Sequence, residues 1–327
     1  MIRPPALRPG DVVGIVSPSA LTAAHVPRRL SRGLAELERR GFRVRMAEHA
    51  ADAAARRADK VADLHAMFAS EDVRAVVCTT GGASSHQLLE DLDFELIAAN
   101  PKVFVGYSDI TALHAAIWAR TRLAVVQGPA LLQQWAEFGG IDDYAWSSWE
   151  RTLMRAEPAG EIAASAHWWY ERLEYDKEDD RPRRREPNRG PRVVRAGAAE
   201  GPLVATNLCT LLLLVGTEWW PDLDGTILCL ETAEEEQAWW IERSLHHLRH
   251  LGVWSKVAGV AFARCHPDSQ LPEARLDEIL LDATRGAAVP IAAGFDFGHT
   301  DPLACMPWGV RARLDGARLE LLEAAVV

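Results

Sequence analysis

Residues 101–120 read Pro-Lys-Val-Phe-Val-Gly-Tyr-Ser-Asp-Ile-Thr-Ala-Leu-His-Ala-Ala-Ile-Trp-Ala-Arg, and the rest of the chain is interpreted around them. An apolar run of β-forming residues at 103–105 is followed by apolar residues at helical spacing from Ile110 to Ile117. The pattern predicts a buried strand that turns sharply into a helix at Ser108. A serine at such a turn is either the N-cap of the helix or the exposed nucleophile of a nucleophile elbow.

Only half of the elbow pattern is present. Gly106 lies two residues before Ser108, as the pattern requires, but Ile110 occupies the position of the second glycine. Because serine caps greatly outnumber serine nucleophiles, residues 101–120 alone favour the cap. Whether Ser108 is a helix cap or a nucleophile therefore has to be decided from residues elsewhere in the chain.

Length and composition limit the possible functions. With 327 residues the chain is long for one core, so two domains are expected, and 48% hydrophobic with 25% charged residues is typical of a soluble globular protein. The net charge of −10 argues against a nucleic-acid backbone or an anionic membrane as partner. No apolar run approaches the length of a membrane span, and residues 1–19 show a strand pattern broken by prolines rather than a signal peptide. A cytoplasmic location is therefore expected.

Motifs for metal and nucleotide cofactors are absent from the sequence. The five cysteines lie far apart without a C-x-x-C pair, which argues against a structural zinc site or a disulfide framework. No G-x-G-x-x-G follows the first predicted strand, and no Walker G-K-[ST] occurs anywhere. We therefore expect neither a metal nor a cofactor.

Strand and helix patterns alternate on the amino-terminal side of Ser108. Strands are predicted at 11–17, 42–46 and 75–79, with helical patterns between them and a short helix at 87–92. This alternation predicts an α/β fold, in which helices cover both faces of a parallel sheet.

The loop 80–85 follows the third predicted strand, at the edge where open α/β sheets bind ligands. Its two glycines, Gly81 and Gly82, allow the backbone to come close to a substrate and to direct N–H groups at an anion. A tight turn without a ligand accounts for the same residues equally well.

Periodicity fades between residues 137 and 200. Residues 171–192 carry seven acidic side chains, eight basic side chains and three prolines, which is typical of a long solvated loop that joins two domains. The stretch His167-Trp168-Trp169-Tyr170 at its start is too apolar for a plain linker. These aromatic residues either pack the loop onto the protein or contact a ligand.

A second set of elements is predicted beyond residue 200. It comprises strands at 226–230, 257–263 and 290–297, helices around 241–248 and 276–284, and a closing hairpin at 310–322. Glu231 and His299 stand at or just after the ends of two of these strands. Together with Ser108 they give the chain order Ser, acid, His, which recurs in serine hydrolases built on α/β sheets.

Ordered motifs along nearly the whole chain resemble the LD-carboxypeptidase family of serine peptidases, and most closely its microcin C immunity branch. These motifs are Val-Gly-Ile-Val-Ser-Pro-Ser at 13–19, Thr-Gly-Gly at 80–82 followed by Ser84-Ser85, Gly-Tyr-Ser-Asp-Ile-Thr at 106–111, Gly128-Pro129, Arg181-Pro182, Pro187-Asn188, Gly-Thr-Glu at 216–218, Leu-Cys-Leu-Glu at 228–231 and Phe-Asp-Phe-Gly-His-Thr-Asp-Pro at 295–302.

The resemblance implies a role for each residue of the Ser, acid, His set. Ser108 corresponds to the nucleophile, His299 to the general base and Glu231 to the acid that orients the histidine, while the backbone N–H groups of Gly82 and Asp109 would form the oxyanion hole. It also implies a homodimer with a Rossmann-like domain at 1–160, a charged linker loop led by aromatic residues at 161–200, and a smaller β-rich domain at 201–327.

The substrate stays open between an aminoacyl nucleotide and the L,D-peptide bond of a murein tetrapeptide. The chain departs from the immunity branch at Ala-Ser-Ser-His (83–86), Ala-Thr-Asn (205–207) and Glu231-Thr232. A nucleotide requires a flat aromatic surface for its base. The candidate substrate-binding residues are Ser84, Ser85, Trp168, Trp169 and Tyr170. A non-catalytic binding homologue is the rival from another class, and the intact Ser, Glu and His argue against it.

Overall fold

The computed structural model describes all residues, 1–327, and the first half of the chain alternates strands with helices as its apolar pattern requires. The strands are β1 (Val12–Val16), β2 (Arg43–Met46), β3 (Val73–Cys78), β4 (Val103–Gly106) and β5 (Val126–Gln127). The helices are α1 (Pro27–Arg39), α2 (Arg57–Ala69), α3 (Phe94–Ala99), α4 (Thr111–Thr121) and α5 (Asp143–Leu153).

The second half is richer in strands. They are β6 (Gly160–Glu161), β7 (His167–Trp168), β8 (Glu186–Pro187), β9 (Arg192–Arg195), β10 (Ala198–Asn207), β11 (Ile227–Glu231), β12 (Gly259–Ala263), β13 (Ile291–Phe295), β14 (Met306–Pro307), β15 (Arg311–Asp315) and β16 (Arg318–Leu321). The helices are α6 (Leu208–Leu212), α7 (Ala238–His250) and α8 (Glu273–Ala283).

The first sheet has the strand order β14-β5-β4-β3-β1-β2. Strands β1 to β5 run parallel, and β14 joins the edge of β5 antiparallel. Because both faces of such a sheet are covered, its central strands β1, β3 and β4 are made of buried apolar residues, apart from the exposed Arg74 near the start of β3, rather than of an alternating pattern. The Rossmann-like α/β prediction is confirmed.

The second sheet has eight strands in the order β6-β16-β15-β10-β11-β12-β13-β9. Its four central strands, β10 to β13, are parallel, and antiparallel strands flank them on both sides. A single apolar core of 87 buried residues runs through both sheets, so the two halves pack together. The carboxyl ends of β4, β11 and β13 all lead to the site described below.

Residues 161–200 form more regular structure than the sequence predicts for a linker loop. Strands β7 and β8 pair with each other, and β9 adds an edge strand to the second sheet. The proposed boundaries of three domains stay a prediction. None of the helices is both long and apolar enough to cross a membrane.

Candidate active site

Ser108 lies at the turn that the sequence predicts, between β4 and α4. A single turn of 3-10 helix at Ser108–Ile110 precedes α4, and the φ angle of Ser108 is 63°. This left-handed conformation is uncommon for a residue other than glycine. It directs the side chain towards His299, whose Nε2 atom lies 3.0 Å from Ser108 Oγ.

His299 lies in the loop after β13 and connects Ser108 to Glu231. Its Nδ1 atom is 2.5 Å from Oε2 of Glu231. Glu231 is the last residue of β11 and is 0% exposed. Burial would lower the pKa of His299, but the charge of Glu231 and the hydrogen bond to it outweigh burial and raise that pKa above its ordinary value. The ring of Tyr107 packs against the imidazole, with centroids 5.1 Å apart.

Gly81, the first of the two glycines after β3, lies directly against Ser108. A Cβ atom on Gly81 would come within 2.8 Å of Ser108 Cβ, 3.0 Å of Ser108 Oγ and 3.4 Å of the Asp109 backbone nitrogen. Only glycine fits at position 81 without displacing the serine. Gly82 lines the same cavity as Ser108.

The side chain of Asp109 binds the loop that follows β3 and the loop that follows β1. The sequence did not predict this role. The Oδ2 atom of Asp109 accepts hydrogen bonds from Ser19 Oγ and from the backbone N–H groups of Ser84 and Ser85, at 2.5, 3.0 and 2.8 Å. Ser85 is 0% exposed and its hydroxyl donates to the Asp109 carbonyl. The structure therefore gives Ser85 a supporting position rather than contact with a substrate, and Ser84 does not line the cavity either.

A cavity of about 260 Å³ opens beside Ser108. Residues from the 161–200 segment and from the loops after β11 and β13 form its other walls, and they carry charges of both signs. The charged residues are Arg172, Arg183, Glu234, Glu235 and Asp301. The structure thus brings the predicted Ser108, His299 and Gly82 together with acids and bases that the sequence analysis did not select.

A larger neighbouring cavity, of about 680 Å³, shares Tyr170 and His266 with the first. Trp168 and Tyr170 line it and stack on each other at 5.3 Å, and the guanidinium of Arg264 lies 4.7 Å from the Trp168 ring centre. Trp169 instead points inward and is 5% exposed. Contact of Trp169 with a substrate is therefore not supported, because its ring packs the loop onto the protein.

Of the acids near His299 that were not identified from the sequence, two have strongly raised pKa values. Glu236 is buried near Glu231, and burial, reinforced by the Glu231 charge, raises the pKa of Glu236 to about 8. Burial raises the pKa of Asp301 to about 6, against the opposing charge of Arg183. Asp301 lies within the quoted motif 295–302 and could have been selected there, whereas the run Glu234 to Glu236 reads as a solvated surface.

No group of three or more His, Cys, Asp and Glu side chains is arranged to hold a metal ion. All five cysteines are free thiols.

An α/β sheet with serine, histidine and glutamate in one hydrogen-bonded line is the arrangement of serine hydrolases. Residues 13–128 match the LD-carboxypeptidase N-terminal domain, and residues 200–314 match the LD-carboxypeptidase C-terminal domain. The chain belongs to the LD-carboxypeptidase family, in the branch of the microcin C immunity proteins, and is a serine hydrolase.

Named relatives cover almost the whole chain. The putative carboxypeptidase YocD of Bacillus subtilis is 36% identical over 94% of this chain and 94% of its own length. The microcin C7 self-immunity protein MccF of Escherichia coli is 30% identical over 94% and 91%, and a probable murein peptide carboxypeptidase of Bacillus subtilis is 31% identical over 99% and 95%. A structure of MccF in complex with aspartyl sulfamoyl adenosine is 28% identical, covers 100% of both chains and has a TM-score of 0.92.

Proposed function

We propose that this protein hydrolyses the amide bond between an amino acid and a nucleotide, with Ser108 as nucleophile, His299 as general base and Glu231 as the acid that orients it. The observation that carries the proposal is the hydrogen-bonded line from Ser108 Oγ through both ring nitrogens of His299 to Glu231 Oε2. Solved structures of MccF with aspartyl sulfamoyl adenosine and glutamyl sulfamoyl guanosine, on the same fold, support this substrate class.

Each step follows from the position of one group. His299 Nε2 takes the proton of Ser108 as its Oγ attacks the carbonyl carbon, and Glu231 stabilises the imidazolium that forms. The backbone N–H groups of Gly82 and Asp109 stabilise the oxyanion that forms. The loss of one such donor typically lowers the rate by about 10²–10³. The imidazolium then protonates the leaving nitrogen, and water activated by His299 releases the acyl group.

The two cavities fit the two parts of such a substrate. The 260 Å³ cavity beside Ser108 is small for a whole nucleotide and suits an aminoacyl group. The 680 Å³ cavity beside it offers the stacked pair Trp168 and Tyr170, against which a purine can pack, as well as several arginines for an anionic group. Tyr170 borders both cavities and would lie near the scissile bond.

A murein tetrapeptide is the second candidate substrate. The probable murein peptide carboxypeptidase of Bacillus subtilis is about as similar to this chain as MccF is, which favours keeping this candidate. The same Ser108 chemistry would cleave its L,D-peptide bond.

A homodimer in the cytoplasm is part of the proposal. The side chains of Leu213 and Trp239, 53% and 61% exposed, are the apolar groups that a second copy would cover. Five free cysteines are typical of a reducing compartment.

The decisive experiment incubates the purified protein with an aminoacyl sulfamoyl adenosine and, separately, with murein tetrapeptide, and identifies the products by mass spectrometry. We expect cleavage of the first, and a folded Ser108→Ala variant should cleave neither. Cleavage of the tetrapeptide alone would support the second candidate. Binding without cleavage of either would indicate a non-catalytic homologue, and turnover by folded Ser108→Ala would contradict the serine mechanism.

A further inference from the structure

Asp301 is a carboxylate in the wall of the cavity beside Ser108 that lacks a full set of partners. It lies two residues after His299, and its Oδ1 accepts one hydrogen bond, from Gln134 Nε2 at 2.9 Å. No Lys, Arg or His nitrogen comes within 4.0 Å of either carboxylate oxygen, and no protein group donates to Oδ2. Oδ2 is therefore the oxygen free for a ligand.

The two arginines whose charges act on Asp301 are paired with other acids. Arg183 Nε is 2.9 Å from Glu137 Oε2, and Arg29 bonds to Glu137 and to Asp179. Both lower the pKa of Asp301 through their charge, yet burial outweighs them and raises that pKa to about 6. A partly desolvated carboxylate in this situation gains free energy when a cation binds it.

The backbone holds Asp301 in a fixed position. The Trp169 N–H donates to the Asp301 carbonyl at 2.8 Å, and the Asp301 N–H donates to the Trp169 carbonyl at 2.9 Å. With Gln134 fixing one carboxylate oxygen as well, little conformational freedom is left to lose on binding.

The other acids of this cavity are less suited to bind a cation. Glu234 is paired with Arg172 at 2.9 Å, and Glu235 lies exposed at the rim, where water screens its charge. Asp301 is the one acid in the wall that is both shielded from bulk water and without a cationic partner.

We propose that Asp301 binds the free α-ammonium group of the aminoacyl part of the substrate, and so selects substrates with an unblocked amino group. This inference rests on the proposed function. In an aminoacyl nucleotide the α-amino group is one carbon away from the carbonyl that Ser108 attacks, so both must fit in the same small cavity. Of the charged groups there, Asp301 has the complementary charge and a free acceptor.

The test compares two substrates that differ only at the α-carbon: an aminoacyl sulfamoyl adenosine and its desamino analogue, in which hydrogen replaces the amino group. We expect the wild-type kcat/KM to be about 10- to 100-fold higher for the amino substrate, as for a hydrogen bond between charged groups. Asp301→Asn keeps the shape and an acceptor for Gln134 and should abolish most of this preference, mainly by raising KM for the amino substrate. Asp315→Asn makes the same change on an exposed carboxylate outside the cavity and should leave the ratio of the two substrates within about 2-fold.

The outcomes separate this inference from the function on which it rests. If wild-type protein cleaves neither substrate, the proposed function fails and the inference with it. If it cleaves both equally well, the function stands and the inference is wrong, whether or not Asp301→Asn folds. Equal losses on both substrates in a folded Asp301→Asn variant would likewise overturn it and assign Asp301 to the support of Gln134.

Discussion

Ser108 shows how the surrounding structure fixes one residue in a conformation that it would not adopt alone. Its φ of 63° costs on the order of 1–3 kcal/mol, which the neighbouring elements have to offset. The side chain of Ser108 is confined by the strand before it, by the helix after it and by the contact with Gly81. It therefore points towards His299. The sequence predicts the turn but not this angle, because the constraint comes from residues distant in the chain.

Activity should fall as the pH falls through the raised pKa of His299, because the general base has to be neutral to accept a proton. Glu231→Gln removes the charge that raises this pKa, so the acidic limb of the kcat/KM profile should move to lower pH while kcat drops. The measurement is kcat/KM against pH for both proteins with the same substrate. An acidic limb that stays in place in Glu231→Gln would contradict the assignment of His299.

Glu236→Gln should stabilise the protein at alkaline pH. The pKa of Glu236 is about 8 in the folded protein against an ordinary 4.5, so the folded state keeps a proton that the unfolded state loses. The stabilising effect of that proton is complete below about pH 4.5 and is lost as the pH rises towards 8. Over that window the advantage of the variant should grow by at most about 1.4 kcal/mol per pH unit.

Thermal melts of wild type and Glu236→Gln from pH 4 to pH 9 test this expectation. Glu278→Gln, on the exposed side of α8, is the control and should follow the wild type. A constant difference between Glu236→Gln and wild type across the range would show that Glu236 does not titrate as proposed.

At the scale of elements, the site is made where the ends of strands from two sheets meet. Gly106, the end of β4, has no side chain because a Cβ there would lie 2.9 Å from Ile110, the residue that replaces the second glycine of the elbow. Gly106 therefore leaves room for the side chain of Ile110, which stands where the elbow pattern has its second glycine. Sequence periodicity cannot show this pairing, since it depends on the angle at which α4 leaves the strand.

Gly81→Ala should impair catalysis more than folding. The added Cβ would lie 2.8 Å from Ser108 Cβ, so Ser108 has to move, and a displacement of about 1 Å from reacting geometry can cost about 10²-fold in rate. Gly128→Ala is a matched control, because its Cβ would crowd Val105 at 3.2 Å without contacting Ser108. We expect kcat to fall in Gly81→Ala alone, while both variants lose some stability, about 1–3 kcal/mol. Equal kcat values in both variants would contradict a role of Gly81 in placing the serine.

Most individual elements could be predicted from the sequence, and most contacts between them could not. The strands β1, β3, β4, β11 and β12 lie within one or two residues of their predicted positions, because buried apolar runs identify them. Strands β9 and β14 were missed, since one is rich in arginine and the other has two residues, and only their partners make them strands. The set of Ser108, Glu231 and His299 could be proposed from chain order and motifs, and Asp301 lies in one of those motifs, whereas Glu236 could not be proposed because its burial depends on contacts between elements.

At the scale of the whole molecule, the segment 169–185 is held onto the first half of the chain by a buried cluster of charges around Arg29. Arg29 is 1% exposed and bonds to Glu137 and Asp179, and the ring of Tyr175 lies 3.8 Å from its guanidinium. Helix α1 has no side-chain cap of its own; the carboxylate of Asp176 accepts hydrogen bonds from its first N–H groups, those of Arg28 and Arg29. A densely charged segment that reads as a solvated linker therefore forms one wall of the cavity beside Ser108.

Arg29→Met should loosen this wall and weaken substrate binding. The substitution keeps an unbranched side chain but removes one of the arginines that bind each acid, so that Asp179 keeps Arg32 and Glu137 keeps Arg183. The cost should stay below the value of about 3–5 kcal/mol for a buried charge that loses its only partner. Arg39→Met, on the same helix with a side chain 58% exposed, is the control and should cost less than about 1 kcal/mol. Thermal melts, amide hydrogen exchange over residues 169–185 and KM are measured for both. We expect faster exchange and a higher KM in Arg29→Met alone, because Tyr170 and Arg183 lose their fixed positions. Lower stability with unchanged exchange in 169–185 would show that Arg29 stabilises α1 and not the wall of the site.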